Sequence, residues 1–237
     1  MKRRLLMALT LLLAAGFIAL GIWQVERRAW KHELIAAVDA RIHRAPVAAP
    51  GPAEWPRLSA DRDAYRRIVA TGRFRHDRET LVQAVTERGA GYWLLTPLET
   101  PDFTLIVNRG FVPRGRRDAS ARAAGNPAGS VTVTGLLRMS EPGGAFLRAN
   151  DAAADRWYSR DVAGIAKARG LGRVAPYFLD ADAAPNAGGY PVGGLTVVRF
   201  RDPHLVYALT WFALAGISLF FSWLLWRPVR LRSNRDL

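Results

Sequence analysis

The chain has no cysteine. Disulfides, thiolate metal sites, thiol nucleophiles and chaperones that pass metals between paired thiols are therefore excluded. Histidine is scarce, with four in 237 residues, and no pair of them has zinc-site spacing. Lysine is nearly absent, so arginine carries almost all of the positive charge. The chain also lacks a nucleophile elbow, a phosphate-binding loop, an internal repeat and any low-complexity tract. The missing feature that matters most is a long basic block, because a net charge of +14 otherwise invites a nucleic-acid reading. The charge gathers instead at the ends of two apolar runs. Lys2, Arg3 and Arg4 precede one, and Arg227, Arg230, Arg232 and Arg235 follow the other. Flanks of that kind orient helices in a membrane, and nucleic-acid binding is set aside.

What is present begins with those two runs. Residues 5–23 and 205–226 carry no charge. At about 1.5 Å per residue, each is long enough to cross a hydrocarbon core roughly 30 Å thick. The first run competes with a signal peptide, for which Ala19-Leu20-Gly21 would be the cleavage site. It exceeds the usual apolar length of such peptides and passes directly into patterned sequence, so an uncleaved anchor is expected. The balance of arginine and lysine around the two runs favours both termini in the cytoplasm. The expected division is a cytoplasmic tail (1–4), a first span (5–23), an extracytoplasmic domain (24–204), a second span (205–226) and a cytoplasmic tail (227–237).

Between the spans the pattern changes twice. Leu34, Ile35, Val38 and Ile42 recur at helical spacing, so residues 24–42 continue the first helix. Pro46, Pro50, Pro52 and Pro56 make residues 45–57 an extended linker. Strands are expected at 65–74, 80–85, 92–99, 103–111, 131–138, 176–180 and 195–200, where short runs of Val, Ile, Leu and aromatics alternate with turn residues. Thr100-Pro101-Asp102 reads as a hairpin turn. Short connections favour an antiparallel sheet. One helix interrupts the set: Ser159 caps it, Val162, Ile165 and Ala166 supply its apolar face, and Gly170 follows its end. Residues 114–129 read as a mobile loop. The expected fold class is α+β, with two transmembrane helices flanking an extracytoplasmic domain built on a mainly antiparallel β-sheet.

Few residues carry chemistry. His32, His43 and His76 read as solvated surface histidines. Gly188-Gly189 and Gly193-Gly194 around Pro191 lack the lysine and helix of a phosphate cradle and read as a loop. Arg109 ends a strand and reads as solvated. His204 differs by its position at the start of the second span, where Asp202 serves as N-cap and proline is tolerated at the first helical position. Ala208, Trp211 and Ala215 fall on its face of the helix and Tyr207 lies beside it. Small residues there would let a flat macrocycle or another helix approach, with the imidazole as an axial ligand of the kind haem iron takes. The alternative is an interfacial histidine in an aromatic belt with Tyr207 and Trp211. The residues alone leave both open.

Three motifs bring in a resemblance. Gly21-Ile22-Trp23-Gln24 with Arg27 and Lys31 resembles the GxWQxxRxxxK signature of the Surfeit locus protein 1 family. Asn108-Arg109-Gly110-Phe111-Val112-Pro113 is similar to that family's NRGWVP-type strand end, and the stretch from His204 to Phe212 resembles its HLxYAxTWF signature. The resemblance implies an assembly factor for haem-copper cytochrome c oxidase that helps deliver haem a to the catalytic subunit and is not an enzyme. It implies His204 as the iron ligand, with Trp23, Gln24, Tyr207 and Trp211 completing a cofactor-binding pocket. The implied partners are the membrane, the oxidase catalytic subunit and haem a synthase. The alternative within the same family reading is a scaffold that stabilises the nascent subunit and holds no haem. With no presequence before the first span, a bacterial inner membrane with a periplasmic domain is expected. Asp202-Pro203 departs from the family pattern, in which asparagine commonly precedes the histidine, and a proline there is expected to tilt the helix start.

Overall fold

A computed structural model describes residues 1–145, 147–196 and 202–227. The chain divides into two compact units, Met1–Ala37 with Arg199–Leu237, and Val38–Val198.

The first unit is a helix pair. Helix α1 (Lys2–Ile42) runs unbroken from the apolar run into the amphipathic stretch, as its spacing predicts. No proline interrupts it, and it ends shortly before Ala45-Pro46, where the residue preceding proline is pushed out of helical geometry. Both α1 and the last helix, His204–Trp226, are long and apolar enough to cross a membrane. The two are antiparallel, because the Arg3 guanidinium donates to the carbonyls of Leu225 and Arg227 while Gln24 meets His204. Arg3 thereby satisfies carbonyls that the end of a helix leaves without intrahelical partners.

The second unit follows in chain order. It contains β1 (Val47–Ala48), the short helix α2 (Ala60–Asp63), β2 (Arg67–Phe74), β3 (Thr80–Thr86), β4 (Gly89–Glu99), β5 (Thr104–Pro113) and β6 (Ser130–Met139). The hairpin β7 (Gly144–Ala145) and β8 (Arg148–Ala149), helix α3 (Val162–Ala168) and strand β9 (Val174–Ala181) complete it; the second long apolar helix of the first unit (His204–Trp226) is α4. The sheet runs β1-β2-β6-β9-β5-β4-β3, and an additional β2–β4 pairing (Arg73 with Glu99, Phe74 with Leu98) closes β2, β6, β9, β5 and β4 into a barrel. Among the described residues, closure leaves β1 and β3 as the edge strands of this sheet.

Strand alternation decides which side chains go inside. Ile68, Ala70 and Phe74 of β2, Leu105 and Val107 of β5, Leu137 of β6, and Ala175, Tyr177 and Leu179 of β9 form one buried cluster. Ile106 and Phe178, on the opposite face, join Val82, Leu95 and Trp157 in a second cluster under Val162 and Ile165 of α3. The central strands are thus apolar on both faces.

Several expectations need correction. The sheet is mixed rather than purely antiparallel: β1–β2 and β5–β9 are parallel. A parallel pair needs a long crossover, and β6 with α3 supplies one between β5 and β9. The supposed linker contributes β1 and is tied down, since Trp55 Nε1 and the Tyr177 hydroxyl both donate to the Pro50 carbonyl, at 2.9 and 2.7 Å. Helix α3 is capped by Asp161, whose side chain accepts from the Gly164 amide, and not by Ser159. The Ser159 hydroxyl accepts instead from the Gly144 amide and the Asn150 side chain. Within 114–129, Arg114–Arg116 and Ala119–Gly125 are 3₁₀ segments held by Arg122, which is buried in a two-pronged pair with Glu79. Of the strand expected at 195–200, residues 195 and 196 are not in a strand, and 197–200 lie outside the described residues.

The strap from Pro50 to Trp55 provides one test. Tyr177→Phe should lower stability by about 1 kcal/mol, the net worth of one hydrogen bond, because Trp55 still satisfies the Pro50 carbonyl. A denaturant midpoint that falls with unchanged slope would show this; an unmoved midpoint would show that the hydroxyl contributes nothing.

Candidate functional site

On α1, Ala14, Phe17, Gly21, Gln24 and Arg28 are three or four residues apart and so share one face. Between residues 14 and 28 they are the buried or half-buried positions, and the others there are exposed. On α4 the matching face is His204, Ala208, Trp211, Ala215, Ser218 and Ser222. Small side chains on both faces let the backbones approach closely, the usual basis of helix association in lipid. Gly21 is the tightest point: a Cβ there would lie 2.5 Å from the ring of Phe212. Below it, Phe17 and Trp211 stack with ring centroids 5.7 Å apart.

At the other end of the pair sits the polar group. His204 Nδ1–H donates to Gln24 Oε1 at 2.7 Å. With the proton on Nδ1, Nε2 carries the lone pair, and it makes no hydrogen bond among the described residues. Histidines that bind metals are held in this way, their second nitrogen donating to a fixed acceptor. One and two turns further along α1 from Gln24 come Arg28 and His32, and both bond the Asp202 carboxylate. Arg28 Nε lies 3.2 Å and His32 Nε2 2.6 Å from Asp202 Oδ2. The hydrogen bond from His32 is the main reason that the Asp202 carboxyl titrates below its ordinary value, with Arg28 adding to the effect. A cavity of about 250 Å³ is lined by Val25, Arg28, Ala29, His32, His204, Leu205 and Ala208. The arrangement offers one free imidazole nitrogen, a cationic rim and apolar walls.

The residues expected at the site are only partly brought together. Gln24 and His204 are directly bonded. Trp211 shares the His204 face but stacks on Phe17 farther down the pair. Trp23 and Tyr207 are each 53 % exposed and lie off the facing surfaces, Trp23 because it is one residue, or about 100°, from Gln24. Asp202 is not the N-cap. That place falls to Pro203, and helix α4 begins at His204, while the Asp202 carboxylate turns to Arg28 and His32.

His32 is therefore engaged rather than merely solvated, which the 24/28/32 spacing alone could have suggested. His43 is exposed and bonds the Asp39 carbonyl. His76 is half-buried, and burial shifts it below its ordinary value; its Nε2 meets the Pro127 carbonyl at 3.1 Å. Arg109 is buried, not solvated. It bonds Asn126 Oδ1 and the Gly125 carbonyl and lies over Phe74, and burial lowers it to about 10. Among the described residues no three His, Asp or Glu side chains group as a metal site.

Comparison with known proteins agrees with the motifs. The model of the SURF1 family matches residues 11–216. The chain belongs to the SURF1 family. That family is one of cytochrome c oxidase assembly factors. Surfeit locus protein 1 of Mus musculus is 35 % identical over 226 residues, covering 88 % of this chain and 71 % of the mouse protein. Surfeit locus protein 1 of Homo sapiens is 33 % identical over 227 residues, covering 88 % and 73 %. The SURF1-like protein of Monosiga brevicollis is 35 % identical over 215 residues, covering 84 % and 79 %. The SURF1 match takes in the barrel and every residue of the polar group from Gln24 to His204.

Proposed function

We propose that this chain is a non-enzymatic membrane chaperone for haem-copper cytochrome c oxidase that holds haem a through His204 during delivery to the catalytic subunit. The observation that carries this reading is the Gln24–His204 hydrogen bond, which leaves Nε2 as a free and oriented donor atom. The residues fit the group: one imidazole nitrogen for the iron, apolar walls from Val25, Leu205 and Ala208, and a cationic rim. When bound, haem a would supply redox-active iron to the oxidase; the chain's part is to ligate, orient and release it. A cavity of about 250 Å³ takes only the edge of a macrocycle, which suits a carrier that must hand its cargo over. Trp23 and Tyr207 are each half exposed and are not among the residues that line the cavity.

Within this proposal both termini are cytoplasmic, residues 24–204 are periplasmic, and residues 5–23 and 205–226 span a bacterial inner membrane. The antiparallel pair supports that topology, because Lys2, Arg3 and Arg4 share an end with Arg227, as the positive-inside rule requires. The catalytic subunit is the partner, with haem a synthase as the donor.

In the second reading, a scaffold without haem, the face of α4 with Trp211 and the alanines is the natural place to dock a partner helix. Ala208 and Ala215 are buried and Trp211 is stacked on α1, so a scaffold would use the outward faces instead. Co-expression with the haem a synthesis enzymes tests the choice. The purified protein should show a haem a spectrum, and His204→Ala should lose at least about nine-tenths of it while remaining folded, an effect of the size expected for removing an axial ligand. Equal haem in both proteins would end the assignment of His204.

A further inference from the structure

The polar group has more members than ligation needs. Arg28 and His32 converge on one carboxylate oxygen, Asp202 Oδ2, while Asp202 Oδ1 is buried and has no hydrogen-bond partner among the described residues. A carboxylate so placed is only half satisfied, and leaving a buried acceptor unpaired carries a cost. Arginine and histidine side chains that meet on a carboxylate form a recognition element for that group, whichever molecule brings it. Both side chains line the cavity that His204 lines. They stand four and eight residues beyond Gln24, so they are displaced from the His204 acceptor by about 6 and about 12 Å along α1.

We propose that Arg28 and His32 form a seat for the peripheral carboxylates of the bound macrocycle, and that Asp202 occupies this seat until the ligand's own carboxylate displaces it. The inference rests on the haem reading above and adds the ligand class: a metallated tetrapyrrole with free acid side chains, not its neutral esters. Exchange replaces one carboxylate by another on the same donors, so the seat costs little to open. It also distinguishes the ligand's acid edge from its apolar edge, and thereby sets which edge faces out of the cavity.

The test uses the full chain in detergent micelles, titrated with haemin and, separately, with haemin dimethyl ester, each followed by the Soret band. The parent protein should bind the free acid about tenfold or more tighter than the ester, the difference expected of one charge-assisted hydrogen bond. In Arg28→Gln and in the Arg28→Gln/His32→Gln double variant, free-acid affinity should fall to that of the ester. In Asp202→Asn, free-acid affinity should rise severalfold and ester affinity should not. Equal affinity of the parent for both ligands would overturn the seat and leave ligation by His204 standing. So would a preference that survives in the double variant, since recognition would then lie elsewhere. Binding of neither ligand would instead remove the haem reading itself.

Discussion

Gly110→Val should strongly destabilise the barrel. Gly110 sits in β5 with φ of +126°, a conformation that costs a residue with a side chain about 1–3 kcal/mol. The space is a second obstacle: a Cβ would lie 2.0 Å from the carbonyl oxygen of Val192. That carbonyl accepts from the Phe111 amide at 2.8 Å, and the Val192 amide donates back at 3.0 Å, so relieving the clash breaks a pair of backbone bonds beside a fully buried Phe111. The contributions together exceed about 4 kcal/mol, among the larger effects of any single substitution, against a total stability of roughly 5–15 kcal/mol. Membrane yield and limited proteolysis would report it. A Gly110→Val protein that resists protease like its parent would show that the backbone around β5 can be rebuilt.

Gln24→Leu should act on the site and spare the fold. The leucine fills similar space on α1 but removes the acceptor for His204 Nδ1–H, releasing the imidazole to rotate. Loss of the partner that orients a metal-binding histidine typically weakens binding by about 10–100-fold, and that drop is expected in a haemin titration. The helix pair should persist, because the Phe17–Trp211 stack and the close approach at Gly21 are untouched. Gln24→Glu keeps an acceptor oxygen and should retain most of the affinity. Unchanged binding in Gln24→Leu would mean that the hydrogen bond does not orient the ligand. The two substitutions separate what Gly110 and Gln24 do: one permits the barrel, the other aims a side chain.

Much of the architecture is legible in the residues themselves. Two long uncharged runs, proline before the barrel and short alternating strands identify the helices and most of the strands to within a few residues. Local spacing also finds His204 and the small residues that share its face, because helix periodicity is a property of neighbours in sequence. Trp23 and Tyr207, which the motifs name, are half exposed and lie off the facing surfaces.

What the sequence by itself determined was therefore local: where the helices run, which residues make strands, and the histidine at a helix start. The tertiary structure decided everything that depends on pairing across long separations. Closure of the barrel through β2 and β4, the parallel pairing of β5 with β9, and burial of Arg109 and Arg122 all join segments that share no local pattern. The polar group is the clearest case, since Gln24, Arg28 and His32 lie some 170 to 180 residues from Asp202 and His204. Periodicity says which side of a helix a residue occupies. Only the packing of α1 against α4 says which residue it meets there.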